Sequence, residues 1–467
     1  MVGLPARGKT YISYKISRYL KWLGIDAKVF AVEHYYRRLT GAPDDHDDLF
    51  DVSQLNASIE GEPMHVKARQ QVVQDINQWF DDQQKRRRRR SSAPLPNDIS
   101  QPKTTSTFAG GGMVAIYDGN NMTKTERAAL HDAFTQNNVH VLFIESLCDD
   151  KDLIRNNVRD VKVAYQNDHP EQSSDQVEAR VDDYITKLDR YYKDSYETLS
   201  ETEYTYIKLI NAGKQYIVNL VRGYLESRIV YYLMNLNIKK KRIWLSRHGE
   251  SEFNVQDRIG GDANLSLRGR LYAGKLPSLV NEVVGDTSHL TVWTSTLRRT
   301  IETAHDLPFA KKQWKALDEL DTGVCDGMTY DEIAANFLSR DEDKFNYRYR
   351  GGESYRDLVL RLEPVIMELE QLETVLIIAH QATIRCLYAY FMGLDHEQLP
   401  YARIPLHTLI ELTPVAYGCK EKFYTVDIEA VDTYRPKSAG VQQALHKSLT
   451  SPVQQVPGAS GEIIYPS

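Results

Sequence analysis

Apolar positions along the chain fall into short runs and helical stripes that alternate. Met113-Val-Ala-Ile-Tyr117 is a buried-strand run that ends in Asp118, and Val139-His-Val-Leu-Phe-Ile144 repeats the pattern. From about Gln176 to Leu236, Tyr and Leu recur at three- and four-residue spacing, which predicts a long helical region, and Lys239-Lys-Lys-Arg242 marks a boundary. Three more apolar runs follow, at 243–245, 290–293 and 375–378, each stopping at polar residues and separated from the next by helical patterns. Strands alternating with helices predict an α/β fold of two doubly wound domains, residues 1–238 and 239–432. In such sheets ligands bind beyond the carboxyl ends of the strands, so the polar residues after each run are expected to meet.

Composition changes this picture in two places. From Asp81 to Gly112 the chain reads KRRRRRSS, then prolines, serines and threonines, then GGG. Such a stretch buries too little apolar surface to offset its ordering entropy, so a disordered insert over about 82–112 is expected. Past Arg435, Ser, Gln, Pro and Gly dominate, and residues 433–467 are expected to form a flexible tail. The arginine run admits three readings: a solvated charge run, a nuclear import signal, or a site for a basophilic protein kinase at Ser91 or Ser92.

With 467 residues the chain exceeds one hydrophobic core, and 42% hydrophobic with 26% charged residues is a globular composition. A formal charge of -6 argues against a nucleic-acid partner, so any phosphate ligand needs local arginines. Four widely spaced cysteines without a CxxC pair suggest neither a disulfide framework nor a zinc site, which fits a cytoplasmic protein. No run of about 18 apolar residues predicts a membrane span.

Chemistry concentrates after the three later runs. Arg247-His248-Gly249-Glu250 follows the first, Arg299 the second and His380 the third. A neutral imidazole can attack phosphorus in line, forming a phosphohistidine that water later hydrolyses. Two guanidiniums and a second histidine would match the charge on the transferring oxygens without a metal or other cofactor. Glu319 is the expected proton donor to the leaving oxygen. At the other end, Gly3-Leu-Pro-Ala6-Arg7-Gly8-Lys9-Thr10 fits GxxxxGK[ST], in which backbone N–H groups cradle phosphates, the lysine reaches the outer phosphates and the threonine hydroxyl binds magnesium.

The second half resembles the histidine phosphatase superfamily through LSRHGESEFN, RIGGDANLSLRG, VWTSTLRRTIETA, QWKALDELDTGVCDGMTYDEI and IIAHQATIRC. Within it, these segments resemble the bisphosphatase half of the 6-phosphofructo-2-kinase/fructose-2,6-bisphosphatase family. The resemblance implies that His248 carries the phosphoryl group, that Arg247, Arg299 and His380 hold it, and that Glu319 donates the proton. It places Asn254, Gly260, Tyr330, Arg340, Lys344, Tyr355, Gln381 and Arg385 around fructose 2,6-bisphosphate, yielding fructose 6-phosphate. Arg340 and Lys344 also read as a solvated helix face, and Tyr330 and Tyr355 as packing residues.

The first half resembles the kinase domain of the same family. That implies ATP held by Gly3, Ala6, Arg7, Gly8, Lys9, Thr10, Tyr11, Asn157 and Tyr417, with magnesium at Thr10 and Asp118. It implies kinase-site roles for Asp118, Cys148, Lys162 and Arg38. Several positions depart from the family: Asn120 replaces a threonine, Glu126 stands where an arginine is expected, and Lys187 replaces another arginine. Only Met1 and Val2 precede the phosphate loop, so the strand that should feed it is expected to be lacking, leaving neighbouring strand edges exposed. The resulting expectation is a phosphatase-dominant enzyme, with homodimer formation and no membrane partner. The rivals are a mutase or broad phosphatase, a fully bifunctional enzyme, and a phosphatase joined to a non-catalytic nucleotide sensor.

Overall fold

The computed structural model describes residues 1–41, 58–59, 62–91, 112–168, 174–192, 195–237, 241–285, 288, 290–337, 340, 343–415 and 418–436. The chain divides into two compact units, Met1–Leu20 with Ile25–Met234, and Lys21–Gly24 with the residues from Asn235 on.

In the first unit the elements run α1 (Lys9–Trp22), β1 (Asp26–Ala31), α2 (Val32–Thr40), a two-strand ladder of β2 (Ser58–Ile59) and β3 (Glu62–Pro63), α3 (Met64–Ser91), β4 (Met113–Asp118) and α4 (Lys124–Thr135). They continue through β5 (Leu142–Leu147), α5 (Lys151–Asp168), α6 (Ser174–Tyr192), β6 (Thr205–Ile210), β7 (Gln215–Asn219) and α7 (Tyr224–Asn235). β1 and β4 pair in parallel, β5 and β6 pair in parallel, and β7 joins β6 in antiparallel. Met1 and Val2 link the two ladders: the Met1 ammonium donates to the Tyr117 carbonyl of β4 at 2.8 Å, while Val2 N–H donates to the Ile144 carbonyl of β5 at 2.8 Å and its carbonyl accepts from Ser146 N at 3.0 Å. Gly3 N donates to the Asn120 carbonyl at 2.9 Å. The N-terminus thereby lies between β4 and β5, with backbone partners toward both. Phe30, Val72, Ile76, Tyr117 and Phe134 form one apolar cluster, and Val2, Phe143, Leu199, Tyr204 and Tyr206 another.

Two expectations for this unit are corrected. The segment from Gln176 to Leu236 is not one helical region, because the β6–β7 hairpin separates α6 from α7. Its turn runs through Asn211, Ala212 and Gly213, at φ of 49°, 57° and 92°, conformations that no helix tolerates. The insert also starts later than composition suggested, since α3 continues through the arginines to Ser91. Arginine is a strong helix former, and cations suit the last turns of a helix. Arg87 is further tied to the Asp26 carboxylate at 2.6 Å. Residues 92–111, Ser92 among them, lie outside the described residues.

The second unit contains β8 (Arg242–Arg247), α8 (Glu252–Val255), α9 (Leu267–Val284), β9 (Thr291–Thr294), α10 (Arg298–Ala304), β10 (Ala310–Gln313), α11 (Tyr330–Asn336), α12 (Tyr355–Gln371), β11 (Thr374–Ala379), α13 (Gln381–Met392), β12 (Thr408–Val415) and β13 (Gly418–Thr425). Its six strands lie in the order β10-β9-β11-β8-β12-β13. The first four are parallel and the last two antiparallel. β11 is apolar nearly throughout, as a strand covered on both faces must be. Register matters most at its end: Ala379 of β11 aligns with Arg247 of β8, so His380 and His248 both follow directly on aligned residues. Trp244, Tyr272, Leu276, Val280, Val292 and Leu376 fill the core beneath. Among the described residues no helix is long and apolar enough to cross a membrane.

Where the unit begins, Lys241 and Glu370 form a buried ion pair at 2.8 Å, and Tyr390 donates to the other Glu370 oxygen at 2.6 Å. Removing one partner of such a pair leaves a buried charge uncompensated and typically costs about 3–5 kcal/mol, whereas replacing both by apolar residues can be neutral. Lys241→Met should therefore lower the unfolding midpoint of this unit more than Lys241→Met with Glu370→Leu. Urea unfolding followed by the fluorescence of Trp244 and Trp293 measures the difference.

Candidate active site

The nucleophile candidate stands where β8 gives way to a tight loop. His248 N donates to the Ala379 carbonyl at 3.0 Å, which ties the end of β8 to the end of β11. Gly249 follows because nothing larger fits: a Cβ there would lie 2.5 Å from the Gly269 carbonyl oxygen of α9. His248 Nδ1 lies 2.7 Å from the carbonyl of Gly249. A carbonyl only accepts, so Nδ1 carries the proton and Nε2 keeps its lone pair. Burial, followed by the Arg299 and Arg247 cations, holds the imidazole well below its ordinary pKa and hence neutral.

The second imidazole is oriented by the same logic. Arg299 Nε donates to His380 Nδ1 at 3.2 Å, so the proton sits on Nε2, which donates to Ser295 Oγ at 2.7 Å. Both ring nitrogens are thus engaged, and His380 is neutral. Burial first, then the Arg299 cation, lowers its pKa. The rings of His248 and His380 lie 5.2 Å apart.

Arg247 and Arg299 are 3% and 4% exposed. Arg299 Nη1 donates to the Gly261 carbonyl at 2.7 Å. The turn carrying that carbonyl is sterically exact, since a Cβ on Gly260, at φ +75°, would lie 1.7 Å from Asp326 Oδ1. Arg247 Nη1 donates to the Ile404 carbonyl at 3.1 Å and to Thr433 Oγ1 at 2.7 Å, while its buried Nε has no partner among the described residues. Burial pushes the Arg247 guanidinium down to about 10, which still leaves it charged at neutral pH. A buried guanidinium donor left without a partner is one that an anion can satisfy.

Glu319 Oε1 accepts from Leu320 N at 3.0 Å and from Ala382 N, at the start of α13, at 3.2 Å. The loop bearing Glu319 is held by Arg361, which donates to the carbonyls of Lys315, Ala316, Asp318 and Glu319 and pairs with both Glu353 oxygens at 2.9 Å.

These groups share a cleft of about 820 Å³, counting the solvent at its mouth, which is ample for a sugar bisphosphate. Arg247, His248, Asn254, Gly260, Arg299, Glu319, Tyr330, Arg340, Lys344, Tyr355, Gln381 and Arg385 all line it. His380 lies behind, with no exposed surface. Toward the far end, Arg385 donates to Tyr355 Oη at 3.1 Å and Arg340 to Tyr349 Oη at 2.9 Å. Lys344 Nζ lies 4.7 Å from the centre of the Tyr401 ring. Asn254 closes a capping box with Ser251 at the start of α8.

Among the lining residues that sequence reasoning missed are Thr433 and Arg435. The expected tail from residue 433 is corrected here, because Thr433 is 7% exposed and hydrogen-bonded to Arg247. Composition carried no signal for them. The order of residues 433–436 comes from side-chain anchors rather than from an apolar period.

In the first unit, the phosphate loop leads into α1 as its motif predicts. Ala6 and Gly8 have φ of 59° and 79°, and Lys9, 7% exposed, donates to the Leu4 carbonyl at 2.7 Å. Asn157 Nδ2 donates to the Ala6 carbonyl at 3.2 Å and Ser146 Oγ to the Arg7 carbonyl at 2.6 Å, which fixes the loop from β5 and α5. Burial lowers the Lys9 ammonium to about 8, against the pull of the Asp118 carboxylate. Thr10 is the second residue of α1 and Tyr11 the third. Cys148 follows β5, half-buried, and burial raises its pKa. Arg38 is exposed on α2, its guanidinium 5.4 Å from the centre of the Tyr35 ring. Lys162 lies on α5, but its side chain, like the whole of Tyr417, falls outside the described residues.

The departures look different in three dimensions. Glu126 does not stand as an unbalanced anion: its Oε2 accepts from Thr123 N at 3.4 Å, completing the Thr123 capping box of α4, and from Met122 N at 2.8 Å, and its Oε1 pairs with Arg69 at 2.6 Å. Lys187 is exposed on α6 and pairs with Asp183 at 2.7 Å.

A family model described as 6-phosphofructo-2-kinase matches residues 1–86 and 104–240, and one described as histidine phosphatase superfamily (branch 1) matches 243–426. A fructose-2,6-bisphosphatase of Saccharomyces cerevisiae is 45% identical over 96% of this chain and 93% of its own length. A 6-phosphofructo-2-kinase/fructose-2,6-bisphosphatase of Aquarana catesbeiana is 42% identical over 95% of this chain and 87% of its own. The human 6-phosphofructo-2-kinase/fructose-2,6-bisphosphatase 4 is 40% identical over 97% and 91%. With both units matched and relatives aligned almost end to end, the chain belongs to the bifunctional 6-phosphofructo-2-kinase/fructose-2,6-bisphosphatase family.

Proposed function

We propose that the second unit hydrolyses fructose 2,6-bisphosphate to fructose 6-phosphate and phosphate through His248, in the cytosol. The observation that carries this reading is a neutral, oriented imidazole beside two buried arginines whose hydrogen bonds go to carbonyls, a hydroxyl and an imidazole, in a cleft that further cations line. The Nε2 lone pair attacks the 2-phosphoryl group, and the bond from phosphorus to the sugar oxygen breaks. Glu319 delivers a proton to that oxygen. Its carboxylate then takes a proton from the water that attacks phosphohistidine, the phosphorus–nitrogen bond breaks, and phosphate leaves with His248 restored. Arg247 and Arg299 neutralise the equatorial oxygens in both steps. Arg340, Lys344 and Arg385 engage the 6-phosphate.

For the first unit we propose ATP binding with magnesium, held by the loop amides, Lys9, the Thr10 hydroxyl and Asp118, and weak phosphoryl transfer to fructose 6-phosphate. The donor set suits a magnesium triphosphate, and the pinned carbonyls of Ala6 and Arg7 hold the loop in shape. Asn120 and the surface-paired Lys187 support a poor acceptor site. The capping role of Glu126 weakens the argument from repulsion, so full bifunctionality is the reading it favours as an alternative. Homodimer formation through the edge strand β7, where Ile217 and Val218 are exposed, and phosphorylation of Ser91 or Ser92 complete the proposal.

Two measurements test this. Glu319→Gln should slow release of fructose 6-phosphate by about 10²–10⁴-fold, the usual worth of a general acid, and slow hydrolysis of p-nitrophenyl phosphate much less. Equal losses on both substrates would contradict the proton-donor role. In the synthetic direction, with ATP, magnesium and fructose 6-phosphate, turnover is expected well below about 1 s⁻¹, the lower end of the usual kinase range. Turnover at or above that value establishes full bifunctionality. Asn120→Thr is the variant that tests the acceptor site, because Glu126→Arg would also break the α4 cap.

A further inference from the structure

The segment that follows β13 has no helix or strand, yet it is held at close intervals. Val426 N donates to the His407 carbonyl at 3.0 Å, and His407 Nδ1 donates to the Ile428 carbonyl at 3.1 Å. Val431 N donates to Glu250 Oε2 at 3.0 Å, and Glu250 is two residues beyond His248. Thr433 Oγ1 accepts from Arg247 at 2.7 Å and from Gln381 Nε2 at 3.4 Å. Arg435 then places its guanidinium 4.9 Å from the centre of the Tyr330 ring and pairs with the Asp257 carboxylate at 2.9 Å. Its Nη1 donates to the carbonyls of Asp432 and Tyr434 at 3.1 and 3.2 Å. Successive anchors on the loops that carry the nucleophile thus fix a further cation on the wall of the cleft, against a tyrosine that lines it.

Resting on the phosphatase reading above, we infer that Arg435 is a substrate-binding residue that helps select for a second phosphate. Three features carry this. The guanidinium lies over the face of the Tyr330 ring, which restrains its position. It meets one carboxylate oxygen through Nη2, and its Nε has no acceptor among the described residues. A phosphate oxygen can take that position or displace Asp257, since a dianion outcompetes a half-exposed carboxylate for a fork of parallel donors. Arg435 and Tyr330 line the same cleft as Arg247 and Arg299, so a cation held over Tyr330 adds to the positive charge that a substrate with a second phosphate can use.

The readouts are the inhibition constant of fructose 6-phosphate against p-nitrophenyl phosphate hydrolysis, and the ratio of kcat/KM for fructose 2,6-bisphosphate to that for p-nitrophenyl phosphate. Both use the full chain. Arg435→Ala should raise the inhibition constant and lower the ratio by about 10- to 100-fold, the range for a lost hydrogen bond to a charged group. Arg435→Lys should recover part of each, and Asp257→Asn, which removes the competing carboxylate, should tighten inhibition. An unchanged inhibition constant in Arg435→Ala, or equal losses on the two substrates, overturns the inference by reducing Arg435 to a structural tie. If the unsubstituted protein is not inhibited by fructose 6-phosphate at all, the inference and the sugar bisphosphate reading fall together. Inhibition that is equal in protein and variant removes only the role of Arg435.

Discussion

Arg247 and Arg299 carry buried positive charge at the carboxyl ends of a parallel sheet, and their hydrogen bonds go to carbonyls, a hydroxyl and an imidazole rather than to a carboxylate. Burying a cation without a counter-ion is costly, so the fold has to hold these groups in place by other means. Burial first, and then the Arg299 and Arg247 cations, keep His248 and His380 neutral. A neutral imidazole is the form that can attack phosphorus. The ligand that completes the site is therefore an anion whose own charge the arginines lack, and phosphate supplies it.

The rest of the second unit serves that arrangement. Register aligns Arg247 with Ala379, which brings the two histidine loops together, and the absent side chain of Gly249 lets α9 close against the nucleophile loop. The Gly260-Gly261 turn supplies the carbonyl that holds Arg299, while Arg361 gathers four carbonyls of the loop bearing Glu319. Each of these groups fixes a residue that lines the cleft. In the first unit, side chains from β5 and α5 pin the carbonyls of the phosphate loop, so its shape also depends on residues distant in sequence.

Much of the cleft was legible in the sequence because a parallel sheet converts strand ends into neighbours: Arg247 ends β8, His248 and His380 directly follow β8 and β11, and Arg299 lies in the first turn of α10 after β9. What escaped were features set by partners that no local pattern shows. The β6–β7 hairpin hid in a tyrosine-rich stretch whose helical spacing competes with strand alternation, and the deciding turn is the left-handed run at Asn211. Thr433 and Arg435 look like the start of a tail and are ordered by Arg247, Asp257 and Tyr330. Glu126 was read against a family pattern, although Thr123-Lys-Thr-Glu126 is itself a capping-box signature that explains it.

The most direct test of the account is rapid-quench labelling with fructose 2,6-bisphosphate carrying ³²P at the 2-phosphate. The account predicts a transient, acid-labile and base-stable label on the peptide containing His248, formed as fast as fructose 6-phosphate appears and absent in His248→Ala. Hydrolysis at an undiminished rate without such a label, or a label that persists in His248→Ala, would contradict it.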